Sequence, residues 1–263
     1  MPYVQLPGVS LHYLEQGNGP NLLVFVHGFI SSHVWWLPTL ERLDPSVYRA
    51  YAIDLRACGQ SQPIETGHTL AQYAEDLHLL ARLLDLEKFT LIGHSMGGGV
   101  AMQFALMHQE CLNALVLVDP LAPSGTRITP EVTAWINAQQ GNPEGIRQII
   151  LGAFARPPDG EYLERLVTDG VRWGKAVYLG TMDDMARFSV AGQLPAIAVP
   201  ALVTWGDKDT VIPFQGIVET YTGIPGCSLE VWHGVGHSGP IEVPDRFVTL
   251  LNQFLAEVAA ARK

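Results

Sequence analysis

Ser95 is the residue of this chain whose setting points most directly to chemistry. It stands in Gly93-His94-Ser95-Met96-Gly97, between the apolar run Phe89 to Gly93 and a segment of helical character through Val100 to Met107. A serine on so sharp a strand-to-helix turn is forced into the left-handed φ region, and the residues two before and two after it must be small. Gly93 and Gly97 meet that demand. At a helix N-terminus, a free backbone N–H and the helix dipole would also favour an oxyanion formed beside the hydroxyl. A serine hydroxyl is a weak nucleophile at neutral pH, so this chemistry needs a base within hydrogen-bond reach and a third group to orient the base. The reaction class implied is acyl transfer.

The elements that must position such a serine can be read from periodicity. Leu22 to Val26 is a continuous apolar run ended by His27 and Gly28, as expected of a strand buried on both faces. Comparable runs recur at Arg49 to Leu55, Phe89 to Gly93, Ala114 to Val118 and Ala201 to Trp205, with helix-like segments between them. That alternation predicts a parallel sheet with crossover helices. Val4 to Leu6 and Leu11 to Glu15, separated by Pro7 and Gly8, predict an antiparallel hairpin at one sheet edge. After Asp119 the alternation stops. Residues 121–200 supply helices expected to start near Pro130, Pro143, Gly160 and Lys175 and no convincing strand, which predicts an inserted helical cap. The core is then residues 1–120 and 201–263, ending in a strand at Leu229 to Trp232 and an amphipathic helix from Asp245 to Ala259.

Composition bounds the alternatives. With 263 residues, 48% hydrophobic and only 16% charged, the chain can bury a sizeable core and is unlike a disordered segment. A formal charge of −10 with no basic patch argues against nucleic acid as a partner. Cys58, Cys111 and Cys227 are odd in number and widely spaced, which fits a reduced, cytoplasmic setting. Met1 to Ser10 lacks the basic stretch and apolar run of a secretory signal, and no run of eighteen apolar residues offers a membrane span. No clustered ligands suggest a metal, and no cofactor is expected.

On these motifs the chain resembles the α/β-hydrolase family over nearly its whole length. The resemblance implies a mostly parallel central sheet with helices on both faces and an inserted helical cap, and it assigns further roles. His27-Gly28-Phe29 lies where family members place the oxyanion loop, so the backbone N–H groups of Phe29 and Met96 would share the oxyanion. His27 itself is expected to hold the loop by hydrogen bonds. Asp54-Leu55-Arg56-Ala57-Cys58-Gly59-Gln60-Ser61 resembles the family turn D-x-R-G-x-G-x-S, except that Ala57 stands where glycine is usual. If that position needs φ > 0, Ala57 is strained. Cys58 beside it is expected to be a small packed side chain. Gly206 to Pro213 resembles the acid loop and selects Asp209 over Asp207, with Asp119, at the end of another central strand, as its competitor. Nine histidines leave the base to context. His237 follows the last strand and completes the order serine, acid, histidine, which sets it ahead of His233 and His94.

The resemblance implies a serine hydrolase cleaving carboxylic esters or lactones through an acyl-enzyme. A pocket between lid and sheet is usually apolar, so the expected partner is a small molecule with a hydrophobic acyl or aromatic part. Trp35, Trp36, His94, Trp135, Phe154, Trp173 and Phe188 are candidates for its wall. Perhydrolase or haloperoxidase-like activity and carbon–carbon bond hydrolysis are the enzymatic alternatives, and a ligand-sensing receptor with an intact triad is the alternative of another class. A nucleophilic aspartate is excluded because the elbow residue is serine.

Overall fold

The computed structural model describes residues 2–126 and 129–261; Met1, Arg127, Ile128, Arg262 and Lys263 lie outside them. Eight strands form one sheet in the order β1-β2-β4-β3-β5-β6-β7-β8. They are β1 (Tyr3–Leu6), β2 (Val9–Gln16), β3 (Asn21–Val26), β4 (Tyr48–Ile53), β5 (Phe89–His94), β6 (Leu112–Val118), β7 (Ala201–Gly206) and β8 (Ser228–Trp232). β1 and β2 form the expected hairpin, and β2 joins the sheet antiparallel to β4. Every later pairing is parallel. Every residue of β5 is buried, Thr90 and His94 included, which is why that strand is mostly apolar with no polar–apolar alternation.

The helices are α1 (Leu37–Leu40), α2 (Leu70–Leu83), α3 (Met96–His108), α4 (Pro130–Ala138), α5 (Pro143–Leu151), α6 (Gly160–Val171), α7 (Lys175–Arg187), α8 (Phe214–Gly223), α9 (Gly239–Glu242) and α10 (Pro244–Ala261). α3 packs on β3, β5 and β6 and against α2, while α8 packs on β7 and α10 against α1. Helices α4 to α7 all fall between β6 and β7, and each starts at the residue expected. The reason is local capping. Thr129, Asn142 and Asp159 each accept a backbone N–H in the first turn of the helix that follows, and Pro130 and Pro143 stand just inside their helices, where a missing N–H costs nothing.

Strand boundaries differ from the sequence reading by one or two residues. β4 ends at Ile53, two residues before the end of its apolar run, because Asp54 turns inward to collect N–H donors. β6 begins at Leu112 instead of Ala114, across an irregularity in its pairing with β5. No helix among the described residues is long and apolar enough to cross a membrane.

Candidate active site

The turn from β5 into α3 is built by exclusion of side chains. Ser95 has φ 54° and ψ −119°, the strained conformation its motif requires. A Cβ on Gly93 would stand 2.2 Å from the Gly97 carbonyl oxygen, and one on Gly97 would stand 2.5 Å from the carbonyl oxygens of Val26 and His27. Only glycine fits either place. Backbone bonds then pin the elbow: Ser95 N–H donates to Val118 O at 2.9 Å, and Ser95 O accepts from Leu121 N–H at 2.9 Å. The Ser95 side chain is half-buried and makes no hydrogen bond to the described residues. Its neighbour Met96 opens α3, so the Met96 N–H has no partner within the helix.

The His27-Gly28-Phe29 loop lies directly against this elbow. A Cβ built on Gly28 would be 3.1 Å from the Ser95 Cβ. His27 is fully buried, donates through Nδ1 to Gly28 O at 2.8 Å and accepts at Nε2 from Leu55 N–H at 3.2 Å. Burial lowers its pKa, which keeps the ring neutral for these two roles. The loop is buttressed by Asp54, whose carboxylate accepts from the Nδ1 of His12 and of His33 and from the backbone N–H of His33 and Gln60. Those donors outweigh the effect of burial and hold its carboxyl below the usual carboxylate range. Three further supports come from the segment between β6 and β7. Asp169 accepts from the Ser32 hydroxyl, Trp173 Nε1 donates to Ser31 O at 3.0 Å, and Tyr162 donates to Val34 O at 2.6 Å.

Asp209 and His237 stand on the loops after β7 and β8. His237 Nδ1 donates to Asp209 Oδ2 at 2.8 Å, and the other Asp209 oxygen accepts from the N–H groups of Val211 and Ile212 at 2.6 and 2.9 Å. His237 is buried. Burial alone would lower its pKa, but the Asp209 charge and hydrogen bond outweigh it and the net shift is upward. His94 joins this loop to the elbow, donating through Nε2 to His237 O at 2.7 Å with ring centroids 4.7 Å apart. The neighbours set aside in the sequence pair elsewhere: His233, its side chain 86% exposed, contacts Asp207 at 3.1 Å.

Asp119 lies close to His237. One candidate ligand atom each from His94, Asp119 and His237 lies within 4.8 Å of the others. Asp119 Oδ1 accepts from Gly206 N–H at 2.9 Å, while its buried Oδ2 has no partner among the described residues. Burial pushes its carboxyl up to about 8, against the opposing charge of His237. A second such triplet, His12, His33 and Asp54, is the hydrogen-bonded hub behind the oxyanion loop.

The wall candidates sort into groups. Trp35 stacks on His94 at 4.8 Å and meets Phe154 at 5.8 Å, and Trp173 meets Phe29 edge-on at 5.2 Å. Tyr178 also meets Phe29, at 5.4 Å. Trp36 is fully buried, packed against Phe25 and Phe247 and edge-on to His94 at 6.4 Å. Phe188 is buried with no ring contact to these residues, and Trp135 is 49% exposed on α4. Cys58 is buried, and burial pushes its thiol pKa well up, as a packed side chain requires.

Sequence reasoning missed the hydrogen bonds that the β6–β7 insertion sends into both halves of the site. Most use backbone carbonyls and N–H groups, which leave no signature in residue type.

Comparisons with known proteins agree with this architecture. Residues 21–192 match the family model described as alpha/beta hydrolase fold. A 2-hydroxy-6-oxononadienedioate/2-hydroxy-6-oxononatrienedioate hydrolase from Pseudomonas sp. is 28% identical over 262 residues, covering 94% of this chain and 92% of its own. An esterase from Exiguobacterium antarcticum superposes with a TM-score of 0.90 at 24% identity, covering 97% of this chain and 98% of its own. A thermophilic esterase from Thermogutta terrifontis gives 0.84 at 26% identity, covering 98% and 99%.

Proposed function

Since the chain belongs to the α/β-hydrolase family, we propose that it is a serine hydrolase that cleaves carboxylic ester or lactone bonds through an acyl-enzyme on Ser95. The observation that carries this reading is the Asp209–His237 pair at 2.8 Å, joined through His94 to an elbow that holds Ser95 at φ 54°. Ser95 Oγ attacks the carbonyl carbon of a small-molecule substrate while His237 Nε2 takes its proton. Asp209 fixes the Nδ1–H tautomer of His237 and stabilises the imidazolium. The tetrahedral oxyanion accepts from the N–H groups of Met96 and Phe29, aided by the N-terminal end of α3. His237 then returns the proton to the leaving alcohol, and water attacks the acyl-enzyme by the same route. That the Ser95 side chain makes no hydrogen bond among the described residues is compatible with this, since such bonds often tighten only when substrate is bound.

The aromatic rings around the elbow support an apolar acyl or aryl group on the substrate. The helices of residues 121–200 serve as a cap in this reading. The test is the nucleophile itself. Ser95→Ala should abolish ester hydrolysis with the fold intact by circular dichroism, and a fluorophosphonate probe should add one label to wild type and none to the variant. Equal labelling of both would remove Ser95 from the mechanism. Carbon–carbon bond hydrolysis is a second reading, favoured by the Pseudomonas relative. Turnover of a 2-hydroxy-6-oxo dienedioate exceeding that of every ester tried would move the assignment there.

A further inference from the structure

The residues around His237 are tied to the β6–β7 insertion at several points, and one side chain accounts for two of the ties. Segment 152–156 runs between α5 and α6. Its Ala153 carbonyl accepts from His237 N–H at 2.9 Å and from the Ser238 hydroxyl at 3.1 Å. Its Gly152 carbonyl accepts from the hydroxyl of Thr210, the residue after Asp209, at 3.1 Å. Glu242, at the end of α9, closes the set. One of its oxygens accepts from Gly236 N–H at 2.9 Å and the other from Arg156 N–H at 2.9 Å. Gly236 immediately precedes the base.

We propose that Glu242 is a positioning residue for His237, a carboxylate strut that clamps the base loop to segment 152–156. The inference rests on the reading of His237 as the base. The chemistry of the contact suits a strut. Two backbone donors from chain segments 80 residues apart in sequence, Arg156 and Gly236, meet on one acceptor group, and an ionised carboxylate offers both oxygens as acceptors at once. Burial raises the Glu242 pKa while the N–H groups of Arg156, Gly236 and Ala155 pull it down. No side chain of a neutral residue supplies two equivalent acceptors in this place. Without it, both N–H groups lose their partner and the loop before His237 is released from one side, which changes the reach of the imidazole toward Ser95.

Glu242 also lines a surface crevice of about 510 Å³ whose walls include Arg42, Arg156, Arg165, Tyr162 and Ile241. Shortening the side chain would therefore open a space connected to solvent, beside guanidinium groups that favour an anion. This makes the proposal testable by chemical rescue. Glu242→Ala should fold, by circular dichroism and thermal melting, and lower kcat on a small acetate ester by about ten- to a hundredfold with KM little changed, the scale expected of a misplaced catalytic group. Formate or acetate should restore part of that loss in a saturable way, and chloride at equal ionic strength should not. Glu242→Gln, which keeps one acceptor oxygen, should fall between wild type and Ala, and it serves as the test variant if the alanine variant does not fold.

His237→Ala is measured in parallel to separate the two ideas. If His237→Ala retains activity, the reading of the base fails. If His237→Ala is dead while the folded Glu242 variant has wild-type kcat, or shows only a raised KM, the strut is overturned. A slow, folded Glu242→Ala variant that neither formate nor acetate revives would likewise overturn it, because the residue would then be a scaffold element and not a local clamp.

Discussion

The two halves of the candidate site are held by different physics. The elbow and the His27-Gly28-Phe29 loop are fixed by close packing and backbone bonding within the sheet: Gly93 and Gly97 leave no room for a Cβ, Gly28 leaves little, and Ser95 N–H is bonded to β6. Asp209 and His237 sit on loops fixed by individual hydrogen bonds, several of them from segment 152–156 between α5 and α6. A protein interior packed to crystal-like density moves little, whereas a loop held by separate bonds can be released one bond at a time. The nucleophile should therefore be the invariant part of the site and the base its adjustable part. Changes to the glycines of the elbow should act on folding, and changes to the loops that carry Asp209 and His237 should act on turnover in a folded protein.

The largest expected effect tests the acid–base half. Asp209→Asn keeps the shape of the side chain but favours the wrong tautomer of His237, with a loss of up to about four orders of magnitude in kcat by analogy with serine proteases. Asp119→Asn should cost far less turnover, because asparagine retains the oxygen that accepts from Gly206 N–H and resembles the protonated carboxyl. The two variants should also differ in pH dependence. The folded chain keeps a proton on Asp119 up to a pKa of about 8, whereas the unfolded chain releases it near the ordinary value of 3.8. The folded state thus binds more protons across that window, so this residue makes stability fall as pH rises through it. Asp119→Asn cannot ionise, and its melting temperature should decline less steeply than wild type between about pH 5 and 9, measured by calorimetry. A larger loss of turnover in Asp119→Asn than in Asp209→Asn would reverse the assignment of the acid.

A middle-sized effect tests whether the insertion can act on binding without disturbing the base. Phe154 lies in segment 152–156, yet that segment holds His237 through backbone atoms, so removing the Phe154 ring should spare the clamp. Phe154→Ala should leave kcat/KM for an acetate ester near wild type and lower that for a bulky aryl or long-chain ester by ~1–3 kcal/mol in transition-state terms. Trp135→Ala, at an exposed position, should change neither. An equal loss on small and large esters for Phe154→Ala, measured as kcat/KM across the series, would show that ring and clamp are not separable.

The fold was legible because its signals are local. Continuous apolar runs, the glycines around Ser95 and the capped starts of α4 to α7 each depend on residues adjacent in sequence. The Asp209–His237 pairing was legible only through family order, since the loops converge from distant parts of the chain. Legibility failed where the decisive atoms belong to the backbone. Ala153 supports the base through a carbonyl oxygen that any residue would offer, and Trp173, read as a pocket wall, also donates its Nε1 to Ser31 O to hold the oxyanion loop. The surroundings of Trp36 were illegible for a different reason: an aromatic beside such a loop has the same composition whether it faces the cavity or the core, and here it is buried against Phe25, Phe247 and His94.

The smallest expected effect concerns Ala57, which the sequence marked as a departure from glycine and which adopts φ 59°. Its turn carries Asp54, the hub behind the oxyanion loop, so its strain belongs to the sterically fixed half of the site. An L-residue in the left-handed region costs roughly 1–2 kcal/mol. Ala57→Gly would relieve that cost. It would also add unfolded-chain entropy worth about 0.4–1 kcal/mol against the folded state, and remove a half-buried methyl whose full burial is worth about 0.8 kcal/mol. The balance is a stabilisation of a few tenths of a kcal/mol, or a rise in melting temperature of up to about 1 °C for a chain of this size. Turnover should not change, because Asp54 and its donors keep their positions. A fall in melting temperature would mean that methyl packing outweighs the backbone strain. A loss of activity without loss of stability would mean that the Asp54 turn is adjustable like the base loop, and that the division between the two halves is drawn in the wrong place.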